Sequence, residues 1–112
     1  MKVTRLDEAV PYNAAKHSGV HAMYLQHQKL GSDAPYWVAC SYYLPGGKAE
    51  WDASPLHKVY VLLDGELTVA TEAGETTLYP MDSVYLAPNE RREVRNDTNR
   101  VATMLVIMPY PA

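Results

Sequence analysis

The sequence predicts an all-β domain, a sandwich or barrel built from short strands. Runs rich in Val, Leu, Tyr and Thr recur along the chain, and turn residues separate them at short intervals. No segment has convincing helical periodicity, and Pro11 interrupts the most helix-like one, residues 6–15. Prolines also lie at the inferred strand ends, as expected of a residue that cannot donate to a sheet: Pro45, Pro55, Pro80, Pro88, Pro109 and Pro111.

Each predicted strand is a β-rich run that ends at a turn signal. Pro45-Gly46-Gly47 predicts a turn after the second run, and Asp64-Gly65 predicts a hairpin turn after the third. Ala73-Gly74 predicts a further turn. The runs are, in order, residues 20–27, 37–44, 58–63, 66–71, 75–78, 83–87, 93–96 and 101–108.

Length and composition place the chain among single-domain globular proteins. It has 112 residues, which we assign to one domain, 1–112. A net charge of −3 gives no electrostatic case for a nucleic-acid partner, and no apolar run approaches the roughly 20 residues of a membrane span. Cys40 is the one cysteine, and the N-terminus has no apolar run that would indicate a signal peptide. We therefore expect a cytoplasmic protein.

The segment from Gly46 to Gly65 carries the most informative spacing. It resembles the first motif of the cupin family, which has a glycine, five residues, His-x-His, three or four residues, a glutamate, six residues and a second glycine. Gly46 and Gly65 occupy the glycine positions. The two histidine positions fall on Asp52 and Ser54, and the glutamate position falls on Lys58.

A second segment resembles the second cupin motif more weakly. The glycine and proline positions of that motif fall on Met81, Ala87 and Asn89, its histidine on Arg92, and its asparagine on Asn96, the one strict match. Asn in place of glycine is a mild change because Asn tolerates a left-handed backbone. Arg in place of the metal-binding histidine is a change of chemistry.

The resemblance implies a jelly-roll β-barrel of two antiparallel sheets around a central cavity. It covers residues 37–108, the barrel core. We expect the N-terminal arm, residues 1–35, to add strands or to exchange with a second copy. A homodimer is expected, as in many small cupins and as two-fold dimers are common.

The resemblance also implies a candidate site, because the family's metal ligands converge in the cavity. The equivalent residues here are Asp52, Ser54, Lys58 and Arg92, so we expect no metal cofactor: a guanidinium is no ligand, and an ammonium must first lose a proton. The cluster favours a small anionic partner, a carboxylate or enolate, that Arg92 and Ser54 would bind. The alternative is a buried salt-bridge network that only holds the barrel.

Aromatic residues with a polar group are abundant: the chain has nine tyrosines, two tryptophans and no phenylalanine. Most are expected to be barrel packing, and a minority are expected to line a cavity. We assign Tyr42 and Tyr60 to the ligand-binding set.

His57 and Glu93 each follow a metal-ligand position by one residue. Because side chains alternate between the faces of a strand, both should point away from the cavity. If the register is wrong by one residue, they become ligands together with Asp52.

The remaining chemistry-bearing residues give weaker signals. His21 and His27 are six residues apart and could share one face of a strand, and with His17 they form a possible metal group. Polar surface positions are the simpler interpretation. Cys40 is expected to be a small buried hydrophobe rather than a nucleophile.

Three functions remain open from the sequence. The first is a metal-independent lyase or isomerase in which Arg92 anchors an anion, Lys58 acts as base or electrostatic stabiliser, and Asp52 tunes Lys58. The second is a non-catalytic protein that binds a small molecule or serves as an accessory. The third is a metal-dependent cupin enzyme whose ligands are shifted.

Overall fold

The computed structural model describes residues 1–111, and in them almost all regular structure is antiparallel β-strand, which confirms the predicted fold class. No helix in this range is long and apolar enough to span a membrane. Two single 3-10 turns occur, at Leu6–Glu8 and Gln28–Leu30. The strands are β1 (Val10–Tyr12), β2 (His17–Gln26), β3 (Tyr36–Asp52), β4 (Lys58–Asp64), β5 (Leu67–Thr71), β6 (Gly74–Leu78), β7 (Ser83–Leu86), β8 (Arg92–Arg95) and β9 (Ala102–Pro109).

The long strand β3 joins two antiparallel sheets into a nearly closed barrel. Residues 36–43 of β3 pair with β9, which continues to β4 and β7. Residues 48–52 pair with β8, which continues to β5 and β6. The N-terminal arm adds β1 and β2 to this chain's own sheet, where β2 pairs with the other edge of β3.

The turn predicted at Pro45-Gly46-Gly47 is wrong, because β3 continues through these residues to Asp52. The pairing places residues 44–47 opposite Gly19 alone, so the segment is a bulge. Gly46 has a φ of +78°, and its N–H donates to the Asn96 carbonyl at 3.0 Å. The glycines that suggested a stop instead bend the strand from one sheet into the other.

The two remaining turn predictions have opposite outcomes. Asp64-Gly65 does not close a hairpin, since β4 pairs with β7 and β9 whereas β5 pairs with β6 and β8. The dipeptide is a crossover between the sheets. Ala73-Gly74 does close the β5–β6 hairpin, in which Thr71 pairs with Gly74.

Inward-facing apolar residues fill one part of the barrel. At the edge of this core, the buried Asn96 side chain forms four hydrogen bonds. The Asn96 side-chain nitrogen donates to the carbonyls of Tyr43 and Arg100 at 2.9 and 2.7 Å. Its oxygen accepts from the Thr98 N–H and hydroxyl at 3.0 and 2.8 Å. The motif asparagine therefore ties β3 to the β8–β9 loop. The apolar core includes Leu62, Leu67, Val69, Leu86, Val94 and Met104.

Two non-glycine residues at the glycine positions of the second motif adopt a left-handed backbone. Asn89 has a φ of +66°, which asparagine tolerates, and Met81 has a φ of +71°. Packing of the Met81 side chain does little to offset this backbone strain, because the residue is 76% exposed. The family's backbone is thus retained here at some cost in strain.

Candidate ligand cavity

A cavity of about 240 Å³ lies within the barrel, between both sheets and the N-terminal arm. Strand alternation and the loop between β3 and β4 bring polar side chains from distant parts of the sequence to its wall. Its aromatic lining includes Tyr12, Trp37, Tyr43 and Tyr60. The polar and charged residues on the wall are His17, Ser41, Asp52, Ser54, Lys58 and Arg92.

Lys58 is the first residue of β4 and points inward, as do Tyr60 and Leu62 further along the strand. It is only 5% exposed, and no carboxylate in residues 1–111 lies within ion-pair distance of it. Burial, reinforced by the charge of Arg92, lowers the Lys58 pKa to about 8. Its ammonium is therefore mostly protonated at neutral pH but poorly stabilised by the protein.

Arg92 begins β8 and is 6% exposed. Its Nε donates to the Tyr60 hydroxyl at 3.0 Å, and its Nη1 donates to the Glu50 carbonyl at 2.9 Å. Both acceptors are neutral, and no carboxylate in residues 1–111 lies within ion-pair distance of the guanidinium. A guanidinium has five N–H groups, which leaves donors available to a ligand.

Asp52 lines the same cavity but faces outward more than either cation. Its side chain is 40% exposed and forms an ion pair of 3.6 Å with Lys16 of the N-terminal arm. The Ala53 N–H donates to the carboxylate at 2.9 Å, and this hydrogen bond is the main cause of the lowered Asp52 pKa. The Asp52 charge acts on Lys58 less strongly than burial or Arg92 does.

Ser54 lies in the loop between β3 and β4, at the edge of the cavity. Its hydroxyl oxygen accepts from the Leu56 N–H at 3.1 Å, and its carbonyl accepts from the Asn89 N–H at 2.7 Å. The second bond joins the loops of the two sequence motifs, which explains how they come together at one site.

The structure also brings His17 to the cavity, a residue considered from the sequence only as part of a histidine metal group. Its Nδ1 lies 2.7 Å from the Ala15 carbonyl. Burial lowers the His17 pKa, and the charges of Arg92 and Lys58 lower it further. No sequence signal places His17 here, because its position depends on the bulge at Gly19 and on the course of the arm.

The assignment of Tyr42 to the cavity is corrected. Ser41 and Tyr43 line the cavity, so the alternation of β3 directs Tyr42 to the opposite face, where its ring stacks with His21 at 6.2 Å. The tyrosine of this pair that lines the cavity is Tyr43. Burial raises the pKa of the Tyr43 phenol, so the phenol stays neutral at pH 7.

The other candidate ligands do not converge. His57 contacts the Tyr85 hydroxyl at 2.7 Å on the exterior, and Glu93 forms an ion pair with Arg95 at 2.8 Å. His27 is buried in an aromatic cluster with Tyr24. Cys40 is buried, and burial raises its pKa.

The cavity does not present the donor set of a cupin metal centre. At the four ligand positions stand a carboxylate, a hydroxyl, an ammonium and a guanidinium, and two of these four groups are cationic. No cluster of three or more His, Cys, Asp or Glu suited to a metal ion occurs in the described part of the chain. These residues fit an anion rather than a divalent cation.

The chain belongs to the cupin family. Residues 41–108 match the cupin domain, Cupin_2. The family assignment made from the two motifs is confirmed, as is the loss of the usual metal ligands.

Relatives of this barrel have diverse functions. The chain is 43% identical over 111 residues to a β-D-galactosidase, Rv1717, of Mycobacterium tuberculosis strain ATCC 25618 / H37Rv, covering 99% of this chain and 96% of that one. It superposes on the polyketide cyclase RemF of Streptomyces resistomycificus with a TM-score of 0.85 and 12% identity, over 97% of this chain and 79% of that chain. A predicted oxalate decarboxylase of Thermotoga maritima gives a TM-score of 0.80 and 17% identity, over 99% and 100%.

Proposed function

We propose that the protein binds a small anionic metabolite, a carboxylate or an enolisable compound, in the barrel cavity through Lys58 and Arg92. One observation supports this most strongly: two buried cations face one cavity, and within residues 1–111 neither has a carboxylate partner. Burying an unpaired charge is costly, so an anionic ligand would supply the missing compensation.

The ion pairs weaken the alternative of a purely structural salt-bridge network. Such a network needs Asp52 to pair with Lys58 or Arg92, but its ion-pair partner is Lys16. The neutral oxygens of Tyr60 and Glu50 orient Arg92 instead. An oriented fork of donors is well suited to bind a carboxylate with two parallel hydrogen bonds.

We propose further that the bound anion undergoes metal-independent proton transfer, of the lyase or isomerase type. Removing a proton from the carbon beside a carbonyl creates an enolate, and Lys58 and Arg92 would stabilise its negative oxygen. The interior position of both cations increases this effect, since water screens them less than on the surface.

Hydrolysis of a β-D-galactoside is the second candidate, favoured by the 43% identity to the M. tuberculosis β-D-galactosidase. Glycosidases usually employ two carboxyl groups, and Asp52 is the one carboxylate among the cavity-lining residues that the structure describes. A galactosidase reaction here would therefore need His17 or Lys58 as the second proton-transfer group.

A ligand-binding experiment tests the main proposal. Malonate, pyruvate, acetoacetate and galactose are added separately, and the melting temperature is measured for the wild type, Lys58→Met and the exposed control Lys48→Met. We expect a carboxylate to stabilise the wild type and Lys48→Met but not Lys58→Met. Equal stabilisation of all three proteins would contradict the assigned site.

Product analysis then separates enzyme from binding protein. The stabilising compound is incubated with the protein and followed by NMR, in parallel with p-nitrophenyl β-D-galactopyranoside. Stabilisation without turnover would favour the non-catalytic alternative. Release of nitrophenol that Asp52→Asn abolishes would favour the galactosidase.

We also propose that the protein is a homodimer, associated through the outward face of β4 and β9. Outward positions of a solvent-facing sheet are usually polar, yet here they include Val59, Val61 and Ile107. Tyr36 and Tyr85 beside them are 51% and 54% exposed. A second copy of the same face would cover these apolar residues.

A further inference from the structure

We propose that His17 is the proton-transfer residue of the cavity, and that its Nε2 accepts a proton from the anion that Lys58 and Arg92 hold. This inference rests on the proposed anion binding and names the base that the proposed reaction needs. It assigns to the N-terminal arm a chemical role in addition to pairing with β3.

The hydrogen bond to Ala15 determines which nitrogen of His17 can act. A carbonyl oxygen only accepts hydrogen bonds, so the contact of 2.7 Å requires the proton on Nδ1. The neutral ring then has its lone pair on Nε2. No hydrogen bond to Nε2 from the described residues occupies that lone pair. The ring is thus held in a tautomer that can act as a base at Nε2. The group that holds it, the Ala15 carbonyl, belongs to the same N-terminal arm.

The charged groups around His17 make its basicity depend on the ligand. Arg92 on β8 and Lys58 on β4 oppose protonation, while Asp52 on β3 and the Ala15 carbonyl favour it. Burial opposes protonation more strongly than either cation does, so the His17 pKa is lowered and the ring is mostly neutral at pH 7. An anion bound to the two cations would offset their charge and raise the His17 pKa. The ring would become a stronger base when a substrate is present.

The proposed step conserves atoms and charge. The C–H bond beside the carbonyl of the substrate breaks, the proton forms a bond to Nε2, and the electron pair stays on the substrate as the enolate. Lys58 and Arg92 contact the enolate oxygen. Return of the proton to a different carbon completes an isomerisation and restores neutral His17. Lys58 remains protonated throughout, which fits its mostly cationic state at neutral pH better than the role of base does.

NMR of the histidine rings tests the placement of His17. Long-range ¹H–¹⁵N spectra are recorded from pH 5 to pH 9 for the wild type and Lys58→Met, each with and without malonate. We expect the Nδ1–H tautomer, a pKa below 6.5, and a higher pKa in Lys58→Met and in the malonate complex. The Nε2–H tautomer, or a His17 pKa that Lys58→Met leaves unchanged, would overturn the inference.

Calorimetry in buffers of different ionisation enthalpy tests the proton transfer. At pH 6 we expect wild-type protein and the exposed-histidine control His21→Gln to take up a fraction of a proton on binding malonate. His17→Gln retains an N–H donor for Ala15, and we expect it to bind malonate at pH 6, where Lys58 is almost fully protonated, without this proton uptake. Unchanged uptake in His17→Gln would refute the role. If malonate fails to bind the wild type while Lys58→Met still raises the His17 pKa, the proposed ligand class fails and the placement of His17 stands.

Discussion

Replacing Lys58 by methionine is expected to stabilise the protein at pH 7 while removing its ligand site. Lysine has an ordinary pKa of 10.5, and burial next to Arg92 reduces it to about 8. Each tenfold change in proton affinity is worth about 1.4 kcal/mol, so the charged form costs about 3.5 kcal/mol as an upper bound. Because the ammonium reaches cavity water, we take about half, roughly 2 kcal/mol. Methionine has a similar length and no charge.

The sign of the pH dependence follows from the lowered pKa. Below about pH 8, Lys58 is charged in both folded and unfolded protein, so the folded state bears the full penalty. Between pH 8 and 10.5 the folded state loses its proton first, and the wild type gains stability as the pH rises. The advantage of Lys58→Met should therefore fall from roughly 2 kcal/mol at pH 7 to about 0.5 kcal/mol at pH 10.

The assay is urea denaturation at pH 7 and pH 10, in buffers free of carboxylates, phosphate and sulfate, which could occupy the cavity. Lys48→Met on the exposed part of β3 is the control and should change the free energy of unfolding by less than about 0.5 kcal/mol at either pH. If Lys58→Met is less stable than wild type at pH 7, or if the difference does not shrink at pH 10, Lys58 is not an uncompensated buried cation.

Three further predictions concern the frame around the cavity. Met81→Gly should be more stable than Met81→Ala by about 1 kcal/mol in thermal unfolding, because alanine keeps the left-handed strain and glycine does not; equal stabilities would contradict this. Asn96→Ala should lose about 3 kcal/mol and lower the melting temperature by about 10 °C, since four hydrogen bonds disappear, whereas exposed Asn99→Ala should change little. Val59→Glu should shift the protein from dimer to monomer in sedimentation equilibrium, and an unchanged mass would argue against the β4–β9 face.

Much of the fold could be predicted because its signals are local. Strand-forming runs and most breaks between them follow from residue type, and the spacing from Gly46 to Gly65 defined the frame of the first motif. The same spacing singled out Asp52, Ser54 and Lys58, the register of the second motif added Arg92, and all four line one cavity. A motif spacing is informative here because it encodes which strand positions face inward.

The errors arose where contacts between residues far apart in the sequence decide the backbone course or the direction of a side chain. Pro45-Gly46-Gly47 has the composition of a turn, yet hydrogen bonds to the distant Asn96 hold it as a bulge within β3. Which of Tyr42 and Tyr43 faces inward depends on the register of β3 against its neighbours, and a shift of one residue exchanges the two faces. Local sequence contains neither fact.

The sequence by itself determined that the chain forms a cupin barrel and that two cations replace metal ligands, because strand propensity, turn residues and motif spacing act over short stretches of chain. Only the tertiary structure decided that Asp52 forms its ion pair with Lys16, so that neither Lys58 nor Arg92 has a carboxylate within ion-pair distance. It also decided that His17 lines the same cavity as these two cations. Charge compensation is a matter of distance through space, and residues far apart along the chain acquire those distances only when the two sheets and the arm pack together.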